Sequence, residues 1–320
     1  MRVYVVSNYW ELFVSLILIK DIEKKDYLIV MNNANFKNNE KLLKNLSEKV
    51  NIEFFSFQHN AIKKFLAYYL RIHYTIPKKL KKYLKNIKEV ISFSDQDVIT
   101  RYFIQNGKEI ILYEHGNVNY IEIFTGTVQL VKKIIFGMEQ PYGRTKAVKE
   151  VYLKFPEKAP KDIKNKVRLF DLATIINSLA QKEIENIYNL FGKEINIEEG
   201  STIILTQPLE IVGCTIEKKL EIYSEILEKY SNEKVYLKPH PLENINDYKR
   251  FNEVGMLSSD FPIELLLLKG KDIKRVVTIF SSSVSSFIGV CDVIFLGLSK
   301  YRKFINLKEE HPYEEHLLEK

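Results

Sequence analysis

Cysteine is nearly absent: only Cys214 and Cys291 occur in 320 residues, both among apolar neighbours. That argues against a disulfide framework and favours a reducing, cytoplasmic setting. Long apolar runs are missing as well. The longest near the start, Leu12 to Ile19, contains Ser15 and stops at Lys20, well short of the ~18 residues a membrane span needs. It follows a strand-like Val3-Tyr4-Val5-Val6, as a secretory leader would not, so a soluble or peripheral protein is expected. There is no Walker A sequence, no G-x-G-x-x-G and no Cys/His zinc pattern. His59, His73, His311 and His316 lack metal-ligand spacing and default to the surface.

Acidic residues vanish from Phe54 to Lys88. In that stretch Lys63, Lys64, Arg71, Lys78, Lys79, Lys81, Lys82, Lys85 and Lys88 interleave with Phe65, Tyr68, Tyr69, Tyr74 and Tyr83, so the net charge of +7 is unevenly spread. A solvated helix face is the plain reading. Peripheral contact of residues 63–88 with an anionic membrane, on its inner face, or with an acidic glycolipid acceptor is the other. Nucleic acid is not expected, because no recognition module accompanies the charge.

What is present is an ordinary globular composition, 46% hydrophobic and 28% charged, long enough for two domains of about 150 residues each. Short apolar runs alternate with helical segments. Strands are expected at 3–7, 27–31, 52–57, 89–93 and 109–113, with helices at 10–20, 38–50 and 61–73. A second series begins with the run from Ser201 to Pro208 and continues with strands at 234–237, 276–280 and 293–296 and a helix at about 216–230. The stretch from Gly126 to Lys166, holding Pro141, Gly143, Pro156 and Pro160, reads as irregular. The expected fold class is α/β: an N-terminal domain over 1–195 and a C-terminal domain over 196–320, with a cleft between them.

Two constellations carry chemistry. Val235-Tyr236-Leu237-Lys238-Pro239-His240-Pro241 and the serines from Ser281 to Ser286 each follow a buried apolar run. Both are expected at the carboxyl ends of neighbouring strands, where open α/β sheets bind ligands. A lysine, a histidine between two prolines, and hydroxyls with adjacent N–H groups supply the donors that a departing nucleotide phosphate needs. The other constellation is Tyr113-Glu114-His115-Gly116, a carboxylate at a strand end beside a glycine that allows a sharp turn. A carboxylate to take the acceptor proton and a phosphate site opposite suit displacement at an activated sugar. Asp95-Gln96-Asp97 imitates a metal-binding acidic pair, although a turn or helix cap is the simpler reading.

Taken together, Tyr113-Glu114-His115-Gly116, Lys238-Pro239-His240-Pro241 and Ser281-Ser282-Ser283 resemble the acidic-Gly, HP and serine motifs of bacterial sialyltransferases. The segments Val3 to Lys20, Ile204-Leu205-Thr206-Gln207-Pro208-Leu209 and Phe261-Pro262-Ile263-Glu264 narrow the resemblance to glycosyltransferase family 52, the lipooligosaccharide and capsule group. It implies a GT-B fold, with two Rossmann-like domains facing each other across a cleft. It also implies inverting, metal-independent transfer of sialic acid from CMP-sialic acid to a terminal galactose of a surface glycan, by a homodimer without a cofactor.

By motif, His240 contacts the CMP phosphate, Lys238 lies near the nucleotide, and Ser281, Ser282 and Ser283 hold the phosphate. Glu264 binds ribose hydroxyls, and Pro241, Thr206 and Gln207 complete the donor side. Glu114 is the expected base. The family motif commonly has two acidic residues before the glycine, and His115 stands in the second place, so His115 and Asp95 remain alternative bases. Other readings stay open: a GT-B transferase using a cytidine donor of Kdo or glycerol phosphate, or a non-catalytic glycan-binding relative.

Overall fold

The computed structural model describes residues 1–24, 26–32, 36, 39–55, 76, 79–122, 140–192, 195–270, 272–297 and 299–301. It forms two compact units, Met1–Gly192 and Lys193–Lys320. Each is built on its own parallel sheet.

The first unit begins with β1 (Arg2–Val6) and β2 (Tyr27–Asn32), continues through β3 (Ile52–Phe55), β4 (Glu89–Ser92) and β5 (Ile110–Tyr113), and ends with β6 (Val148–Leu153) and β7 (Val167–Leu169). All neighbours in the order β3-β2-β1-β4-β5-β6-β7 pair in parallel. Central strands buried on both faces need continuous apolar sequence rather than alternation. β2 is buried along its whole length, and Val3 to Val6 of β1 are buried too. The order reverses between β1 and β4, the kind of switch point at whose carboxyl edge open α/β sheets bind ligands.

Four helices of this unit start where a short polar side chain captures a free N–H. Asn8 caps α1 (Tyr9–Ile19), Asn39 caps α2 (Glu40–Lys49), Asp97 caps α3 (Val98–Gln105) and Asp171 caps α4 (Leu172–Asn177). Gly192, at φ 60°, ends α5 (Gln181–Phe191) in the left-handed conformation that glycine reaches without strain. Val3, Leu28, Val90, Leu112 and Val151, together with Ile99 and Phe103 of α3, form one core.

In the second unit β8 (Ser201–Leu205), β9 (Val235–Lys238), β10 (Gly255–Met256), β11 (Ile273–Thr278) and β12 (Asp292–Phe295) take the order β10-β9-β8-β11-β12, again all parallel. α6 (Ile216–Glu228), capped by Thr215, sets Leu220, Tyr223 and Ile226 against Ile204, Leu237 and Val277. Among the described residues no helix is long and apolar enough to cross a membrane.

Several expectations change. The stretch expected to be irregular holds β6, which buries Val148, Val151 and Leu153, and β7, which was not expected, begins directly after it. The HP and serine segments do not leave neighbouring strands: β8 lies between β9 and β11. Of the basic stretch, Lys79, Lys81, Lys82, Lys85 and Lys88 are described, and Leu80–Tyr83 forms a single helical turn. Lys63, Lys64, Arg71, Lys78, the helix expected at 61–73 and residues 56–57 and 126–139 lie outside the described residues, as do His59, His73, His311 and His316.

Candidate active site

Three loops leave the carboxyl edge of the second sheet side by side. They carry Thr206 and Gln207 after β8, Pro239 to Glu243 after β9, and Ser281 to Ser286 after β11. With strands about 4.8 Å apart, the β9 and β11 loops stand about 10 Å apart across β8. Donors there can engage different parts of one nucleotide.

The β9 loop is organised by Glu243, whose side chain is fully buried. Its Oε2 accepts the His240 N–H at 2.9 Å and the Thr206 hydroxyl, and its Oε1 accepts the Tyr248 hydroxyl at 2.5 Å. Beneath it Lys219, 0% exposed on α6, pairs with Glu210 at 2.6 Å, Asp247 at 3.4 Å and Glu243 at 3.5 Å. A buried ammonium among three carboxylates is retained only if their attraction outweighs its lost hydration. Burial lowers the Lys219 pKa, but the hydrogen bond to Glu210 and the carboxylate charges raise it above the ordinary lysine value.

This turn fixes the imidazole of His240. Nδ1 accepts the Leu242 N–H at 3.2 Å, so in the neutral ring the proton sits on Nε2. Burial, then the charge of Lys238, push its pKa down to about 4. Near neutral pH His240 is therefore an uncharged ring presenting an Nε2–H donor. Lys238 is itself buried, with its ammonium 4.6 Å from the centre of the Phe261 ring. Burial lowers its pKa to about 7 against the opposing pull of Asp260 and Glu264.

Ser281, Ser282 and Ser283 are half-buried, and among the described residues their hydroxyls make no hydrogen bond. The turn is anchored elsewhere, by Ser281 N–H to the Thr278 hydroxyl at 3.1 Å and by Ser285 to the Ser282 carbonyl at 2.7 Å. Glu264 is buried and accepts the Ser286 hydroxyl at 3.2 Å. Thr206 and Gln207 are buried, the latter giving its N–H to the Tyr223 hydroxyl at 2.7 Å. Pro241 is exposed at the tip.

The first unit gathers a separate set at the carboxyl ends of β1, β4 and β5. Gly116, at φ 140°, lets the chain turn sharply after β5. The two residues before it are committed to different partners. Glu114 is buried, and its Oε2 accepts the Tyr120 hydroxyl at 2.5 Å and the Lys154 N–H at 2.7 Å, while its carbonyl accepts the Trp10 indole N–H. His115 instead places Nδ1 2.9 Å from Oε1 of Glu11, a buried carboxylate of α1. Glu11 also accepts the Ser7 N–H at 2.5 Å. Burial disfavours the imidazolium, but the hydrogen bond and charge of Glu11, with the charge of Asp97, raise the His115 pKa above its ordinary value.

Asp95 and Asp97 part company. Asp95 is fully buried and holds the 142–145 loop, accepting Tyr142 N–H at 2.9 Å, Gly143 N–H at 3.1 Å and the Thr145 hydroxyl at 3.1 Å. Tyr142, at φ 59°, is one of two described non-glycine residues in left-handed backbone, and the Asp95 bond helps hold it there. Asp97 accepts Ile99 and Thr100 N–H at the start of α3, and burial followed by the charge of Glu11 lifts its pKa to about 6. Among the described residues no group of three or more His, Cys, Asp or Glu could hold a metal ion.

Three residues that matter here were not singled out from sequence. Glu243 follows His240 by three, the spacing at which a glutamate reaches back to a backbone N–H, and Glu11, in the first turn of α1, reaches back four residues to the Ser7 N–H. Lys219 lies on the apolar face of α6, three after Ile216 and four before Tyr223.

Two Rossmann-like units in one chain, with loop-borne polar groups at the carboxyl ends of both sheets, define an α/β protein of GT-B type. Solved structures share that fold. An α/β-galactoside α-2,3-sialyltransferase from Photobacterium phosphoreum superposes with a TM-score of 0.56 at 16% identity, over 92% of this chain and 89% of that one. A 2,6-sialyltransferase from Photobacterium, in complex with CMP and lactose, gives 0.54 at 13%, over 88% and 68%. A UDP-GlcNAc 2-epimerase from Methanocaldococcus jannaschii gives 0.54 at 13%, over 98% and 96%. The chain belongs to glycosyltransferase family 52, whose profile matches residues 24–294. An uncharacterised protein of Haemophilus influenzae is 33% identical over 182 residues, which are 55% of this chain and 58% of that protein.

Proposed function

We propose that this protein is a sialyltransferase that moves sialic acid from CMP-sialic acid to a galactose-terminated glycan, with inversion and without a metal. The observation that carries this is the His240 turn of a family 52 chain: a neutral imidazole donating from Nε2, a buried lysine beside it, and, across β8, serine hydroxyls that make no hydrogen bond among the described residues. The likeness to a sialyltransferase holding CMP and lactose supports the same reading.

In the reaction the acceptor hydroxyl oxygen bonds to the anomeric carbon as the bond from that carbon to the phosphate oxygen breaks, and the electron pair leaves with CMP. Nε2–H of His240 donates to the phosphate, whose negative charge in turn raises the affinity of the imidazole for a second proton. Lys238 and the hydroxyls of Ser281, Ser282 and Ser283 offset the remaining charge. Pro239, buried, and Pro241 stiffen the turn so that little ordering is needed on binding. Glu264 and the Thr206–Gln207 segment complete the nucleotide side.

Donor choice is decided by incubating the protein, in EDTA, with a galactoside and CMP-sialic acid, CMP-Kdo or CDP-glycerol, and following nucleotide release and product mass. Acceptor-dependent CMP release with a sialylated product is expected from the first alone. Transfer from CDP-glycerol or CMP-Kdo would replace the donor, and binding without turnover would make the protein a non-catalytic relative.

A further inference from the structure

We propose that His115 is the base that takes the acceptor proton, and that Glu11, on the first helix, is its positioning residue. The inference rests on the sialyltransferase reading and assigns the acceptor half of that chemistry.

The geometry is that of a carboxylate-oriented imidazole. Glu11 is held on both sides: its carboxylate accepts the Ser7 N–H, and its own N–H donates to the Asn8 cap at 2.9 Å. Its Oε1 lies 2.9 Å from Nδ1 of His115, which places the neutral ring's proton on Nδ1 and leaves the Nε2 lone pair to accept. The His115 side chain is 41% exposed while that of Glu11 is 4% exposed, so the ring is open to a substrate and its orienting partner is shielded. The His115 N–H is fixed by Oδ1 of Asn119 at 2.8 Å, which sets the backbone from which the ring projects.

Glu114 is arranged for another task. Its buried carboxylate binds the Tyr120 hydroxyl and the Lys154 N–H, and Tyr120 in turn accepts the Phe155 N–H at 3.2 Å. That network joins the turn after β5 to the segment after β6. Asp95 is likewise spent on the 142–145 loop.

The two histidines are thus set to complementary tautomers. His240 accepts at Nδ1 and donates from Nε2, and its pKa is pushed down. His115 donates from Nδ1 and accepts at Nε2, and its pKa is pushed up. A neutral ring with a free Nε2 lone pair and a carboxylate that favours its imidazolium is suited to take up a proton. The acceptor proton passes to Nε2 of His115, giving an imidazolium stabilised by Glu11, with Asp97 across the α3 cap as the second negative group facing it.

The test measures kcat/KM for transfer from CMP-sialic acid to a galactoside against pH, in the wild type and in His115→Gln, Glu11→Gln and Glu11→Asp, each checked by circular dichroism. His115→Gln is expected to lose at least ~10²-fold in kcat with little change in donor KM. Glu11→Gln removes a negative charge that favours the imidazolium, so its rising acidic limb moves to lower pH and its plateau falls. Glu11→Asp, which keeps the charge, restores the limb toward the wild-type position. A folded His115→Gln protein within 10-fold of wild type, or an unmoved limb in Glu11→Gln, overturns the assignment, and loss of transfer in Glu114→Gln alone would return the base to Glu114. A wild type that transfers no sialic acid would instead overturn the sialyltransferase reading.

Discussion

Replacing His240 with alanine is expected to cut kcat for sialyl transfer by at least ~10²-fold while the protein stays folded. The two halves of that expectation have separate causes. The turn is held through the backbone, by the His240 N–H on Glu243 and the Glu243 N–H on the His240 carbonyl at 2.9 Å. Removing the ring leaves both bonds intact and deprives only the exposed Leu242 N–H of its acceptor. Water can replace that acceptor. No water can replace an Nε2–H donor fixed in direction and kept neutral by burial, because preorganisation is what makes such a donor stabilise charge as it develops. Kinetics beside a thermal melt check the split. A folded variant with unchanged kcat would remove His240 from the reaction, and an unfolded one would make its role structural.

Substituting Lys219 with methionine is expected to cost about 3–5 kcal/mol of stability. The ammonium is 0% exposed and serves Glu210, Glu243 and Asp247 together. Methionine fills the volume, but the fully buried Glu243 carboxylate then loses its compensating charge. Because Glu243 also holds Thr206, Tyr248 and the His240 N–H, the damage should spread to the turn that presents the imidazole. The Lys219 pKa is raised on folding. Its contribution is therefore full below the unfolded lysine pKa, about 10.4, and is lost as pH rises through the folded value. Urea denaturation of both proteins at neutral pH measures the difference. A loss under about 1 kcal/mol would show that the carboxylates need no cation there.

These side chains explain why the fold was easier to read than the site. Val3-Tyr4-Val5-Val6 and Ile203-Ile204-Leu205 are short apolar runs ended by polar residues, and local physics makes them strands. β6 and β7 were missed because Lys149, Glu150 and Arg168 interrupt them and the surrounding prolines and glycines speak for loops. Strand order is a tertiary property, so no local signal could place β8 between the HP and serine segments. The motifs located the strand ends correctly, but a motif names a residue and not its partner. Glu114 and His115 are adjacent in sequence, yet one bonds toward β6 and the other toward α1, a divergence visible only when Trp10, Glu11 and Lys154 are placed in space. Lys219 reads as a surface lysine until its i+4 neighbour Tyr223 is seen to be core.

The central claim is that the carboxyl edge of the second sheet holds a cytidine monophosphate through the Nε2–H of His240. It is tested most directly by NMR of protein carrying ring-¹⁵N histidine, titrated with CMP and with pH, the His240 signals being assigned by their loss in His240→Ala. In the free protein Nε2 should carry the proton and the ring should titrate near the low value of about 4. CMP should shift the His240 Nε2 resonance and raise its titration point. His240 resonances that stay unmoved at saturating CMP, or CMP that does not bind at all, would contradict the account.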